Sequence, residues 1–322
     1  MNRSNPGIRA ALACVISLGT VALALEPLGK QVEFISKGAR IEVRVGDRPL
    51  MTYVPDDGPK PYYYPLIGAT GRPITRAFPM TKVDGETIDH PHHRSMWFTH
   101  GSINGVDFWT EAPGHGTIRE TSRPVVYGGP EVGTIKTTDD WLGPDGKKVC
   151  EDERVLRIYV GQGPRRVIDF DVTLKASEGP LVFGDTKEGM FGLRVATSMD
   201  VAGKRGGKIV NAEGLVDQAA WGKASPWVDY SGPVDGQTVG IAILNHPDSF
   251  RYPTTWHVRD YGLFAANPFG WNDFGKKESG RHTLPAGESI RFRYRVILHE
   301  GNAEAAKLPE AFESYKATPA LK

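Results

Sequence analysis

Cysteine is nearly absent from this chain. Two occur in 322 residues, Cys14 and Cys150. A stapled disulfide scaffold is therefore excluded, and stability has to come from a hydrophobic core. Charge of one sign is also lacking, with 39 Lys and Arg against 38 Asp and Glu. No global field favours nucleic acid or an anionic membrane. Past residue 25 no apolar run is long enough to cross a bilayer as a helix. No glycine-rich phosphate loop opens a helix, and no βα unit repeats, which excludes a doubly wound dinucleotide fold. No fixed-period repeat, charge run or low-complexity linker divides the chain.

The N-terminus has the three parts of a secretory signal. Met1 to Arg9 carries Arg3 and Arg9 and no acid. Ala10 to Leu25 is mildly apolar, and Ala22-Leu23-Ala24 offers a small-x-small cleavage site. The apolar run is short of the roughly 20 residues of a spanning helix. Cys14 lacks the upstream aliphatic residue of a lipoprotein site. The expected organisation is a signal peptide at 1–24 and one domain over 25–322. The mature protein is then periplasmic or secreted, with no membrane association, and Cys150 alone remains.

Apolar residues recur mostly with period two, between clusters of Gly, Pro, Asn and Asp. Gln31–Ile35, Arg40–Val45, Arg154–Val160, Val167–Leu174 and Ser289–Leu298 read as strands. Only Ala303–Lys316 reads as a helix, with Ala305, Leu308, Ala311 and Phe312 on one face. The expected fold is all-β, a large antiparallel sandwich with a C-terminal helix.

Four of the nine histidines fall within Asp89-His90-Pro91-His92-His93-Arg94-Ser95-Met96-Trp97-Phe98-Thr99-His100. Histidine is the side chain whose ordinary pKa lies nearest physiological pH, and it also binds metals as neutral imidazole. Pro91 interrupts any ladder, so the run starts in a loop and continues as a strand. Alternation then places Ser95, Trp97 and Thr99 on one face and Met96, Phe98 and His100 on the other. Two chemistries fit. A histidine can act as general acid or base beside a carboxylate. Alternatively, His90 and His92 can ligate a divalent metal, with Asp89, His246 or Glu188 as a third donor.

A second constellation is Gly184-Asp185-Thr186-Lys187-Glu188-Gly189, with acid, base and hydroxyl on a glycine-rich loop. A third comprises Asn245-His246-Pro247 and Trp256-His257-Val258-Arg259. A fourth is Asp107-Phe108-Trp109-Thr110-Glu111 with His115. Tyr62, Tyr63, Tyr64, Tyr261, Phe264, Phe269 and Trp271 add aromatic surface. Aromatic faces beside amide, acid and arginine suit carbohydrate, because sugar rings stack while hydroxyls pair.

Several segments together resemble a bacterial family labelled PmoA-like, or methane-oxygenase-like. They are Tyr64-Pro65-Leu66, the Asp89–Trp97 run, Gly105–Trp109, Gly184–Gly189 and Phe264–Gly270. The resemblance spans roughly residues 30 to 300 of the sequence and implies a metal-dependent oxygenase or hydrolase. A genuine particulate methane monooxygenase subunit crosses the membrane several times, unlike this chain. The β-rich layout is also similar to the galactose-mutarotase type of supersandwich, a likeness of architecture.

The reading that follows is an exported carbohydrate-active protein. It acts by acid–base chemistry, of epimerase, lyase or hydrolase type, on a sugar or oligosaccharide. His92, His93, Glu188 and His246 are the expected catalytic groups, converging on one cleft. Arg94, Lys187, Asp185, Trp97, Trp256 and Asn267 are the expected substrate contacts. The alternatives are a non-catalytic sugar-binding module and the metal-dependent enzyme, with His90 and His92 as ligands.

Overall fold

The fold is that of a computed structural model describing Met1, residues 31–161 and residues 163–320. The expected signal peptide and Cys14 lie outside the described residues. Two antiparallel sheets dominate. The front sheet has eight strands. In spatial order they are Val32–Lys37, Arg40–Val45, Arg48–Val54, Tyr62–Tyr63, Met96–His100, Gly189–Arg194, Leu263–Ala266 and Trp256–Val258. The back sheet has nine, and its long centre is Gln237–Asn245, Ser289–Glu300, Arg166–Lys175, Lys148–Tyr159 and Val132–Leu142. Among the described residues the one α-helix is Leu308–Lys316. The expected all-β sandwich with a C-terminal helix is the observed fold.

The sheets meet through aromatic residues that alternation sends inward. Phe170 stacks on Phe191 at 4.8 Å between ring centroids, and Phe191 on Tyr294 at 4.9 Å. Phe98 reaches Phe292 across the same gap at 5.5 Å. Burying one such ring removes 150–250 Å² from water, about 4–6 kcal/mol at 25 cal/mol per Å² as an upper bound. Cys150 is a buried free thiol.

The helix starts later than its pattern suggests. Asn302 accepts the amide of Ala305 with its side chain and that of Ala306 with its carbonyl, holding 303–307 as turns. Lys307 then takes φ 50°, a left-handed step that no helix continues through. Pro309 fits the first helical turn, where its missing N–H costs nothing. Leu308, Phe312 and Tyr315 are buried on one face. Together with Ala306 they pack on Trp227, Ala242, Leu244 and Ile297, on the outer side of the back sheet.

Candidate functional site

The strand Met96–His100 alternates as expected. Met96 and Phe98 enter the core between the sheets, while Trp97 points to the outer side of the front sheet. There it packs with Val54, Tyr62, Trp109, Leu263 and Ala265. Gly192 faces Trp97 across the ladder. A Cβ at 192 would stand 2.7 Å from the indole, so glycine is what admits the ring.

The histidine run folds back over this platform. His90 adopts φ 43°, and the amide of His93 donates to the His90 carbonyl at 3.0 Å, closing a turn around Pro91. The turn gathers three imidazoles. His90 and His93 stack at 4.8 Å with planes 6° apart, and His92 meets His93 edge-on at 4.5 Å. His93 stacks on Trp97 at 5.3 Å, and His90 on Tyr261 at 5.1 Å with planes 4° apart. Tyr261, His90, His93 and Trp97 therefore form a column of nearly parallel rings rising from the sheet. Trp97 and His93 are buried, while His90 and Tyr261 above them are half-buried.

Two buried arginines hold the column. Arg194, the last residue of its strand, points Nη1 at His93 Nδ1 at 3.0 Å and Nη2 at Asp89 Oδ1 at 2.8 Å. Arg76 donates to the same carboxylate oxygen and to the His90 carbonyl at 2.9 Å. A guanidinium can only donate, so His93 Nδ1 is the acceptor and the ring is a neutral Nε2–H tautomer. Burial, the other imidazoles and the arginines hold His93 well below its ordinary pKa. Burial and then Lys60 push His92 down to about 4. Burial works to raise Asp89, but Arg194, His90 and Arg76 outweigh it and keep the carboxyl ionised. Arg76 is lowered to about 10 by burial and Arg194.

A second charged group flanks His92. Lys60 is fully buried and donates to the Trp109 carbonyl at 2.8 Å. Burial lowers it to about 8. Glu111 lies 4.0 Å from Lys60 and is gripped by Arg94 through two hydrogen bonds of 2.8 and 3.1 Å. Arg94, expected on substrate, is thus engaged by Glu111 and lies over the Tyr62 ring.

The glycine-rich loop enters the neighbouring strand at the opposite end from the column. Gly189 pairs with His100 at the far end of the histidine strand, and the Glu188 carbonyl accepts the Gly101 amide. Glu188 and Lys187 pair at 2.8 Å, both partly exposed. Between this loop and the column stands a hairpin. The amide of Gly262 donates to the Arg259 carbonyl, and Gly262 takes φ 98° to close the turn. Its tip carries Tyr261, with Arg194 and Arg259 against the ring at 4.9 and 5.4 Å. Burial raises the Tyr261 phenol, Arg259 and Arg194 oppose that, and both Glu188 and Asp89 act on it. The phenol is thus within electrostatic reach of both motifs.

Other expected contacts are placed differently. His246 does not converge with the column. It sits on the far sheet, where Arg293 Nη1 meets its Nδ1 at 2.9 Å and Tyr315 of the helix packs edge-on at 5.0 Å. The whole core separates it from His93. Trp256 is fully buried between the sheets, with its Nε1 donating to the Ser225 carbonyl. Trp97 is fully buried too and presents no free face. Asp185 accepts the amides of Asn272 and Gly280, and buried Asn267 donates to the Thr186 carbonyl at 2.9 Å. Both shape the loop that presents Lys187 and Glu188. For the metal reading, His90 and His92 stand edge to face at 5.7 Å. Among the described residues no three His, Cys, Asp or Glu side chains form a ligand set.

Arg76, Arg194 and Lys60 escaped the sequence reading as site residues. Arg76 and Lys60 lie in loops where an arginine or lysine looks like solvated surface. Arg194 ends the strand that follows the glycine-rich loop, where it pairs with Leu263 and is buried. Tyr261 and Arg259 were visible as aromatic and basic neighbours, without a sign that a hairpin lifts them to the column.

The chain belongs to a family of unknown function, DUF6807, whose model matches residues 40–313. No curated protein matches the sequence. Among solved structures, a β-arabinopyranosidase is similar at TM-score 0.40 and 11% identity, over 78% of this chain. The present chain spans 38% of that protein's length. The GalM/aldose epimerase homologue from C. elegans is similar at TM-score 0.34 and 9% identity, over 84% of this chain and 99% of its own. Likeness at these values assigns no activity.

Proposed function

We propose that this protein binds a sugar or oligosaccharide on the outer face of the front sheet and performs acid–base chemistry on it. The observation that carries the reading is the position of Tyr261. Its ring caps the histidine column, and its phenol feels both Asp89 and Glu188. One aromatic ring therefore stacks on an imidazole and carries two guanidinium groups beside it, within the longer-range field of Glu188. An apolar sugar face stacks on such a ring while its hydroxyls reach the polar groups.

The roles follow from charge state. His92, half-buried and neutral with a pKa of about 4, is a proton acceptor at neutral pH. His93 acts through its neighbours, since Arg194 occupies its lone pair. Lys187, kept protonated by Glu188, is a cationic clamp for a developing oxyanion. Glu188 is the carboxylate counterpart. Epimerisation, elimination and glycoside cleavage all use such an acid and base across a substrate carbon.

A non-catalytic sugar-binding role is the second reading. It is favoured by the suppressed basicity of His93 and His92. The metal-dependent oxygenase or hydrolase implied by the PmoA-like resemblance lacks support from the donor arrangement. The protein acts outside the cytoplasm after loss of residues 1–24, which N-terminal sequencing of the exported form tests.

The functional test is proton NMR of a sugar and oligosaccharide panel incubated with purified protein. Anomer exchange, epimer formation, unsaturated products or bond cleavage that is lost in His92→Ala supports catalysis. Binding without any conversion supports the second reading and overturns the first.

A further inference from the structure

The hairpin that carries Tyr261 also lines a separate cavity of about 360 Å³, formed with Gln218, Trp221, Val258 and Asp260. That volume holds one sugar ring. Arg259 reaches into this wall with its guanidinium against two rings, Trp221 at 5.8 Å and Tyr261 at 5.4 Å. Among the described residues no carboxylate pairs with it and no group accepts its hydrogen bonds. The acids nearby have other engagements. Asp260 accepts from Gln218 Nε2 at 3.0 Å, Asp273 accepts the Lys187 amide at 2.7 Å, and Glu188 holds Lys187. Trp221 adds a second unsatisfied donor, its buried Nε1.

His257 ties this cavity to the proposed site. It lies two residues before Arg259, on the strand Trp256–Val258 that leads into the hairpin, and beside Trp221 at 6.4 Å. Its Nδ1 stands 2.8 Å from the Lys187 carbonyl, which only accepts, so Nδ1 carries the proton. Lys187 and Arg259 both bear on the His257 ring electrostatically, and on one another. The result is a hairpin edge with one unpaired guanidinium and a paired lysine close to it. A guanidinium fork matches a carboxylate through two parallel hydrogen bonds.

We propose that the ligand is an acidic sugar, a uronic acid, whose carboxylate binds Arg259 while its pyranose ring lies against Trp221. This rests on the carbohydrate reading above and adds the charge of the substrate. Lys187 strengthens the field, and the Tyr261 ring places the rest of the sugar toward His92 and Glu188.

The test is calorimetric titration of the full chain with glucuronate and galacturonate, each against its uncharged methyl ester or amide. The expected result is at least one acid bound ten-fold or more tightly than its neutral form. That preference falls with rising salt in the wild type, disappears in Arg259→Gln and partly returns in Arg259→Lys. Equal affinity for acid and ester overturns the proposal while the sugar reading stands. Arg259-dependent binding of simple carboxylates with no sugar preference keeps the anion pocket and overturns the sugar reading. No binding of any probe overturns both.

Discussion

Burial and the Arg194 contact together decide how His93 behaves. A neutral imidazole whose lone pair meets a guanidinium at 3.0 Å cannot take up a proton without expelling that contact. Arg194→Met should therefore raise the His93 pKa toward the ordinary histidine value. Imidazole proton shifts followed by NMR from neutral to acid pH check this, and a ring whose titration is unchanged from wild type contradicts it. Gly192 is the second decisive residue. Gly192→Ala puts a methyl 2.7 Å from the Trp97 indole, with His93 stacked on the other side. Overpacking of this kind costs about 1–3 kcal/mol. Chemical denaturation should show that loss, and an unchanged midpoint would mean the column can slide. Trp97 was legible as an outward residue from alternation alone. Its complete burial was not, because the residues that cover it come from loops without periodicity.

The elements carry their own lessons. The run Arg154–Val160 reads as a strand, and it is part of one, Lys148–Tyr159. In the structure Arg154 alternates with Leu156 and Ile158, and all three are buried. Arg154 is fully buried and pairs with Asp152 at 2.8 Å and Asp139 at 3.2 Å. Burial and the adjoining acid hold the Asp139 carboxyl up at about 7 even beside this arginine. Arg154→Met leaves two acids in the core without a cation. The expected cost is about 3–5 kcal/mol, read as a drop in denaturation midpoint. A neutral or stabilising result would show that water or protonation compensates. The helix shows another case: Leu308 and Phe312 are buried as expected, whereas Ala305 is exposed in the turns before the helix, Tyr315 completes the buried face, and the start lies five residues later than expected. Asn302 and Pro309 both mark helix entries, and only the left-handed Lys307 selects between them.

At the scale of the whole molecule, period-two patterning sufficed for the all-β sandwich, because strand alternation is a local signal. Which motifs share a face is a matter of sheet order, and no local pattern encodes it. The strands that follow the Asp89–His93 run and the Lys187–Glu188 loop are neighbours, and their antiparallel register sets the two segments at opposite ends of one ladder, with Gly189 beside His100 and Leu193 beside Met96. His246 was assigned to them on chemistry alone, and the order of strands sends it to the opposite sheet. Buried histidines also set a global property. His100 and His257 are lowered to about 4 by burial, as is His92. Unfolded, each takes a proton near pH 6.5, while the folded protein stays neutral until about pH 4. Their folded pKa values are depressed, so stability is full above pH 6.5 and is lost as pH falls through this window. Each contributes a slope of up to about 1.4 kcal/mol per pH unit. Melting temperatures that hold steady from pH 7 to acid would refute the neutral, buried state of these rings. Reductant should leave melting unchanged, since Cys150 is a buried free thiol.

The central claim is that the histidine turn and the glycine-rich loop act on one ligand. A double-mutant cycle with His92→Ala and Glu188→Gln, read on the affinity and turnover of a bound sugar, addresses it directly. Residues that share a ligand show non-additive losses, by about 0.5–3 kcal/mol, whereas independent sites add. The account predicts that each single change weakens the sugar's binding or conversion and that the double change costs less than their sum. Strictly additive losses, or a Glu188→Gln protein indistinguishable from wild type, would contradict it.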